Sequence, residues 1–334
     1  AISNFMFLDK ILLITGGTGS FGNAVLRRFL SSDLREIRIL SRDEKKQYDM
    51  QFEFAGNNKL RFIIGDVRNK ESLIKAMRGV DIVFHAAALK QVPSCEYNPY
   101  EAVKTNAEGA QNVIDAALFH NVEKVIAIST DKAAEPVNVM GMTKAIQERL
   151  ITSANVHRDG KRTVFSCVRY GNVLGSRGSV IPVLRNQIDN DQNLTITDLN
   201  MTRFILTLDN AIDLVFKSVE YSVGGEIFIL KIPAHTVVDL AEVMLEASGK
   251  KLKLTETGIR PGEKIHETLV TPTESIRTIE KENLYIILPQ VEIKEIEQKY
   301  KNYKNENLFR FSSDTADRLS KDALKEMLKK EKWI

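Results

Sequence analysis

Cysteine is nearly absent from this 334-residue chain: Cys95 and Cys167 are too few for a disulfide framework, and neither has metal-ligand spacing around it. A stapled extracellular scaffold and a cysteine-based metal centre are thereby excluded, and a reducing cytoplasm is expected. Long apolar runs are missing as well. Stretches such as Ile11–Ile14 and Val125–Ile128 are strand-length, far short of the roughly 20 residues that span a bilayer, so no membrane span is expected. Ala1–Phe5 lack the basic and apolar regions of a signal peptide, and Met6 reads as the natural start. Charge of one sign is also scarce: 47 Lys and Arg against 44 Asp and Glu leave +3, with no like-charged block to serve as a nucleic-acid arm. Aromatic residues make up only 7%.

What is present is apolar material for a large core, 43% of the chain, at a length that suggests about two domains. In the first half, β-branched runs at Ile11–Ile14, Ile37–Leu40, Phe62–Ile64, Ile82–Phe84, Val125–Ile128 and Val164–Val168 read as buried strands. Between them Ala24–Leu30, Ser72–Met77, Ala102–Phe119 and Thr143–Ala154 keep apolar residues three or four apart, as helices do. The alternation predicts an α/β fold, a Rossmann-like doubly wound parallel sheet over residues 6–170. Beyond Gly171 the pattern loosens, with helices expected at Val180–Ile188, Asn210–Tyr221 and Val238–Ala247 and strands near Leu194–Thr197 and Ile227–Leu230. A smaller mixed α/β substrate domain is expected over 171–290, some of whose strands could return to the sheet. Residues 291–334, rich in Lys and Glu with scattered aromatics, read as a solvated helical tail or a segment ordered against a partner, the solvated tail being preferred.

The first strand runs into Gly16-Gly17-Thr18-Gly19-Ser20-Phe21-Gly22, and a helical pattern follows. Glycines at a strand-to-helix turn let main-chain N–H groups approach a pyrophosphate, whose charge the helix N-terminus favours. The GxxGxxG spacing of Gly16, Gly19 and Gly22 resembles that of the extended short-chain dehydrogenases. Where an NAD enzyme places an acid against the ribose 2′-hydroxyl, this chain has Ser41-Arg42 with Lys45 and Lys46 behind, which suits the 2′-phosphate of NADP; the adjacent Asp43 leaves NAD open. Asp66 and Val67 follow the third strand, where a carboxylate can meet the adenine amine. His85, read as a structural histidine, and the small Ala86, Ala87 and Ala88 follow the fourth.

After the fifth strand comes Ser129-Thr130-Asp131-Lys132, and twelve residues beyond Lys132 a helix carries Lys144. In short-chain dehydrogenases a Ser or Thr shares the site with the Tyr and Lys of a YxxxK motif, and the phenolate moves a proton. Here the Tyr position is Met140, a thioether that exchanges no protons. Asp131 and Lys132 instead form an acid–base pair suited to an elimination.

The runs Ile14–Gly22, His85–Lys90, Ser129–Ala133, Arg169–Val173, Ser176–Val180 and Arg260–Lys264 together resemble the inverting UDP-N-acetylglucosamine 4,6-dehydratases, over about residues 8–290. Met140 is similar to the C5-epimerising capsule and O-antigen branch, the CapE and WbjB type. The resemblance implies a lyase in which tightly bound NADP takes hydride from sugar C4, water leaves from C5 and C6, hydride returns to C6, and C5 is reprotonated on the other face. In it Lys132 takes the C5 proton, Asp131 protonates the departing hydroxyl, Thr130 bonds the C4 oxygen and Lys144 holds the nicotinamide ribose. Lys132, Lys144 through water, or a loop carrying Lys90 and Cys95 could each remove the C4 hydroxyl proton. The resemblance also places Asn106 and Lys90 near the cofactor, and Lys90, Tyr170, Asn172, Arg177, Ser179, Val180, Arg203, Arg260 and Glu263 around UDP-N-acetylglucosamine. A homo-oligomer, often a hexamer, is implied. The rival readings are a UDP-sugar 4-epimerase, which needs no acid for a C6 hydroxyl, and a non-catalytic NADP-sensing protein that Met140 alone would favour.

Overall fold

A computed structural model of the chain describes residues 4–176, 179–301, 303, 305 and 307–334. Six parallel strands form the heart of the fold: β1 (Ile11–Thr15), β2 (Glu36–Ser41), β3 (Leu60–Ile64), β4 (Ile82–His85), β5 (Lys124–Thr130) and β6 (Val164–Tyr170). They lie in the order β3-β2-β1-β4-β5-β6, so the winding direction reverses between β1 and β4. The α/β, Rossmann-like architecture expected from the alternation of runs is the one observed. Both faces of the sheet are covered by helices, among them α1 (Ser20–Phe29), α2 (Glu44–Glu53) and α3 (Lys70–Ala76). Leu12, Leu13, Ile14, Ile37, Ile39, Val83, Phe84, Val125 and Ile126 are all fully enclosed, which is why these strands read as continuous apolar runs rather than alternating ones.

Two local differences from the sequence pattern have physical causes. Helix α2 has polar residues almost all round and buries only Gln47 and Met50, so it carries no apolar stripe to reveal it. The Ala102–Phe119 pattern is broken: Pro99–Ala102 is followed by a π-helical turn at Val103–Glu108 and then by the helix Gly109–Phe119. The wider turn brings Asn106 inward, where its amide donates to Leu89 C=O (3.0 Å) and Thr143 Oγ1 (3.0 Å) while its oxygen accepts from Leu89 N–H (2.8 Å).

The chain beyond Gly171 leaves the sheet and comes back. Ile227–Leu230 pairs parallel with β6, and Leu284–Ile287 and Thr278–Lys281 add antiparallel strands outside it, giving a nine-stranded sheet among the described residues. Outside the sheet, residues from both sides of Ile227–Leu230 form a second, smaller core that gathers Ile181, Leu184, Ile205, Leu240 and Met244.

The C-terminal stretch is not a solvated tail, and this corrects the reading of its charge-rich composition. Helix Lys321–Lys330 fully buries Leu324 and Leu328 in the second core, Trp333 packs there too, and Phe311–Ser312 pairs antiparallel with Thr268–Val270. Two leucines four residues apart suffice to dock a helix whose remaining face is Lys and Glu. Leu328→Ala is expected to cost about 2–5 kcal/mol of folding stability, the usual range for a fully buried leucine, and a urea-unfolding midpoint that does not move would refute the docking.

Candidate active site

The chain reversal between β1 and β4 opens a crevice at the carboxyl ends of the strands, where open α/β sheets place their ligands. The glycine turn lies at its edge. A Cβ on Gly22 would overlap the Gly17 carbonyl, so glycine at this position serves the tight packing of turn against helix. Gly19 differs: a Cβ there would have only Gly16 O near it, at 3.3 Å, which leaves its outer side open to a ligand. Gly19 is also the N-cap of α1 and supplies no capping side chain, so the first N–H groups of the helix, from Ser20 to Gly22, are available to an anion. Thr18 Oγ1 meets Ser41 Oγ at 2.9 Å, tying the turn to the end of β2. This cradle fits a dinucleotide pyrophosphate.

Around the cradle the predicted contacts separate. Arg42 is half-exposed at the end of β2, its guanidinium 3.7 Å from Asp66 Oδ2, and Asp66 is also gripped by Arg68 at 2.8 Å. Lys45 and Lys46 lie on the surface of α2, paired with Asp49 (2.7 Å) and Asp43 (3.1 Å). Val67 and Ala86 are buried, while Ala87 and Ala88 are only partly covered beside the crevice. His85 is structural: it is buried, its Nδ1 meets Thr15 Oγ1 at 2.7 Å, and desolvation drops its pKa to about 3, so the ring is neutral. Asn106 braces the His85–Lys90 segment through its two hydrogen bonds with the Leu89 backbone.

The acid–base residues converge from three elements. β5 ends in Thr130, whose hydroxyl caps the short turn Asp131–Ala133, donating to Asp131 Oδ1 (3.1 Å) and accepting from Lys132 N–H (3.3 Å). Helix Val139–Ser153 begins at Asn138, whose side-chain oxygen accepts from Gly141 N–H (2.7 Å). A Cβ on Gly141 would overlap the Lys132 carbonyl, so glycine alone lets this helix come so close to the Asp131-Lys132 turn. Met140, where a tyrosine would stand, is buried against Cys95 and Ala102, with Leu89 and Val92 over it. Cys95 is thus a packing residue, and burial pushes its thiol up.

Sequence reasoning passed over the third contributor. Glu267, buried just before strand Thr268–Val270, brings Oε1 to 3.3 Å from Lys132 Nζ, which also lies 3.2 Å from Asp131 Oδ1. No spacing rule connects Lys132 with a residue 135 positions later. Burial by itself would push the Lys132 ammonium down, but Asp131 and Glu267 outweigh it and hold the pKa above the ordinary lysine value. Lys144 has the opposite fate. Its ammonium donates to Ile128 C=O (2.7 Å) and Gln147 Oε1 (2.9 Å), and burial, aided by the charge of Lys90 at the exposed rim, brings it down to about 7. Asp131 Oδ2 and Glu267 Oε2 are buried without a hydrogen-bond partner among the described residues, so the cluster has capacity for a proton or a ligand hydroxyl.

On the substrate side, Tyr170 is partly buried at the end of β6, and Asn172 begins the short strand Asn172–Val173. Ser179 caps helix Val180–Asp189 through its backbone alone, so the first N–H groups of that helix carry no side-chain cap. Arg203 is committed within the protein, donating to the carbonyls of Thr202 (2.7 Å), Ile265 (2.9 Å) and Lys264 (2.9 Å), and so braces the loop before Glu267. Arg260 is exposed, and Glu263 is half-buried in the turn after it. Arg177 lies outside the described residues. Among the described residues there is no cluster of metal-ligating side chains and no helix long and apolar enough to cross a membrane.

The family of polysaccharide biosynthesis proteins matches residues 12–289, and the chain belongs to it. A relative from Rickettsia felis, named UDP-glucose 4-epimerase, is 54% identical over 273 residues, 80% of each chain; one of the same name from Rickettsia akari is 55% identical over 271 residues, 80% of this chain and 79% of the relative. The solved structure of Pen from Bacillus thuringiensis is 41% identical and superposes with a TM-score of 0.91 over 98% of this chain and 99% of its own. DesIV, a dTDP-glucose 4,6-dehydratase from Streptomyces venezuelae solved with NAD, shares the fold at 18% identity, with a TM-score of 0.68 over 89% and 92% of the two chains. The architecture is that of the extended short-chain dehydrogenases.

The low pKa of Lys144 makes a prediction about stability. An unfolded lysine titrates near 10.4, so the folded protein is penalised for charging Lys144; the penalty is complete below about pH 7 and fades as pH rises toward 10. Lys144→Met is therefore expected to raise the Tm of dinucleotide-free protein most near pH 6 and least near pH 10. A gain that does not vary with pH would count against a lysine buried at the expense of its charge.

Proposed function

We propose that this member of the polysaccharide biosynthesis protein family is a lyase that removes water across C5 and C6 of UDP-N-acetylglucosamine and inverts C5, using a bound dinucleotide that is regenerated each turnover. The reading rests above all on the Asp131–Lys132–Glu267 cluster, in which two buried carboxylates lie 3.2 and 3.3 Å from one lysine ammonium. Neighbouring acid and base of this kind suit an elimination, in which one group takes a carbon-bound proton while the other protonates a leaving hydroxyl.

Held by the glycine turn and Arg42, a bound nicotinamide dinucleotide would supply the hydride chemistry, oxidation at sugar C4 and reduction at C6. The remaining chemistry falls to the protein. The free N–H groups of α1 hold the pyrophosphate, and Arg42 offers its guanidinium to a 2′-phosphate, which selects NADP. Thr130 is placed to bond the C4 oxygen. Lys132 takes the C5 proton once the C4 ketone has acidified it, and Asp131 delivers a proton to the departing C6 hydroxyl. Lys144, with a pKa of about 7, can pass a proton at neutral pH and serves the C4 hydroxyl that Met140 cannot. The uncapped N-terminus at Ser179-Val180, Asn172 and Arg260 take the UDP portion.

A 4-epimerase is the second reading, favoured by the printed name of the Rickettsia relatives. It would oxidise C4 in the same cradle yet leave the C6 hydroxyl in place, with no task for the acid Asp131.

Purified protein incubated with UDP-N-acetylglucosamine in heavy water, without added cofactor, is expected to yield a product lighter by one water with deuterium at C5, read by mass spectrometry and NMR. An unchanged mass with a galacto product would overturn dehydration in favour of epimerisation. Asp131→Asn is expected to lower kcat by about 10²–10⁴, the usual contribution of general acid catalysis. Arg42→Ala is expected to weaken NADP about tenfold to a hundredfold while sparing NAD, since a hydrogen bond to a charged group is worth about 1.5–3 kcal/mol. Equal losses for the two cofactors in a binding titration would remove the 2′-phosphate from the reading.

A further inference from the structure

Glu267 is the one fully enclosed carboxylate of the cluster that the reaction scheme leaves without a task. Its surroundings are built to hold it. Its N–H donates to Ser313 Oγ (2.9 Å) and its carbonyl accepts from Ser313 N–H (2.8 Å), so the returning C-terminal segment clasps it from both sides. Ser313 Oγ is fixed in turn by Thr202 Oγ1 (2.7 Å), which also meets His266 Nδ1 (2.7 Å). The charged groups around the lysine are Asp131 at 3.2 Å, Glu267 at 3.3 Å and, farther off, Arg203; Lys264 stands 3.7 Å from Glu267 Oε2. A buried carboxylate with one oxygen lacking a hydrogen bond is costly unless the charge serves a purpose.

We propose that Glu267 is a positioning residue of the elimination: it remains an anion throughout, holds the Lys132 amine in place and balances the ammonium that forms when Lys132 takes the C5 proton. The proposal rests on the dehydratase reading above. Proton accounting shows why a second carboxylate is needed. At rest the cluster holds one proton on Lys132 and two carboxylates. Transfer of that proton to Asp131 gives a neutral amine and a carboxylic acid, the base and the acid that elimination requires, with no proton exchanged with solvent. The amine then takes H⁺ from C5. The C–H electron pair becomes the C5–C6 double bond, the C6–O bond breaks, and the proton of Asp131 leaves with the hydroxyl as water. During this step Asp131 is still giving up its proton and is only partly an anion, so Glu267 alone offers Lys132 a full negative charge as its own positive charge grows. The carboxylate behind a catalytic histidine does the same for an imidazolium. The C-terminal segment, beyond the matched family region, thereby becomes part of the site through Ser313.

Removing the negative charge of Glu267 lets burial act on Lys132 more strongly, so its proton leaves at lower pH. Activity is lost at high pH when the cluster gives up its single proton, so the basic limb of the kcat profile follows Lys132. In Glu267→Gln, nearly isosteric, that limb is expected to move to lower pH by about one unit or more, kcat to fall about a hundredfold, and KM and bound dinucleotide to stay near wild type. Glu267→Asp is expected to recover most of the limb's position. The Lys132 titration followed by NMR on nitrogen-labelled lysine is expected to fall in parallel, and it reads the coupling without turnover. If wild-type protein releases water from the sugar while Glu267→Gln leaves both the limb and the Lys132 titration in place, Glu267 is merely structural and the proposal fails alone. If wild-type protein releases no water, the dehydratase reading fails and this role falls with it.

Discussion

Arg169 is the joint on which the rest of this structure depends. Its side chain is 1% exposed, and it grips Glu148 through two nitrogens (2.9 and 2.6 Å), Glu274 through two more contacts (both 2.9 Å) and the Leu269 carbonyl (2.9 Å). The two carboxylates hold the guanidinium proton well above the usual arginine range, against the opposing effect of burial. Such a cluster stabilises little on balance, since desolvation offsets most of the Coulomb gain, but opening it by removing one partner costs about 3–5 kcal/mol. Its value is geometric. Glu148 belongs to the helix that carries Met140 and Lys144, and Glu274 closes the capping box just beyond Glu267 and strand Thr268–Val270. One side chain at the end of β6 thus sets the distance between two elements more than a hundred residues apart, with the Asp131-Lys132 turn between them.

Within that frame two lysines of like sequence character are driven to opposite states. Lys144 faces carbonyl dipoles and the charge of Lys90, and yields its proton readily. Lys132 faces two carboxylates, which stabilise its charged form. The two environments therefore push the two lysines' titrations in opposite directions. Met140, at the position of the expected tyrosine, has become part of a small apolar cluster with Cys95 and Ala102.

The dinucleotide cradle, by contrast, is built mostly from contiguous residues. Strand, glycine turn and helix are contiguous, and the close approach at Gly22 is made to Gly17, five residues away. That contiguity is why its residues can be named from spacing, while contacts of Gly16 with Ala87 and of Thr18 with Ser41 hold the turn to the sheet.

The sequence by itself determined what is periodic or contiguous: five buried parallel strands, the glycine turn, the Asp131-Lys132 pair, and Lys144 on the helix that follows; the sixth, β3, also reads as buried in sequence but is a half-exposed edge strand, because no strand covers its outer side. Each is written in neighbouring residues whose spacing obeys a helix or strand period. Tertiary structure alone decided the rest. It brought Glu267 to Lys132, used Arg203 and Asn106 as braces, set Lys45 and Lys46 in surface pairs, and folded the charge-rich C-terminal stretch against the second core through Leu324, Leu328 and Trp333. The physical reason is common to all of these. Whether a carboxylate is a solvated surface group or a buried partner of a lysine depends on what lies against it, and contacts across more than a hundred residues leave no period in the chain.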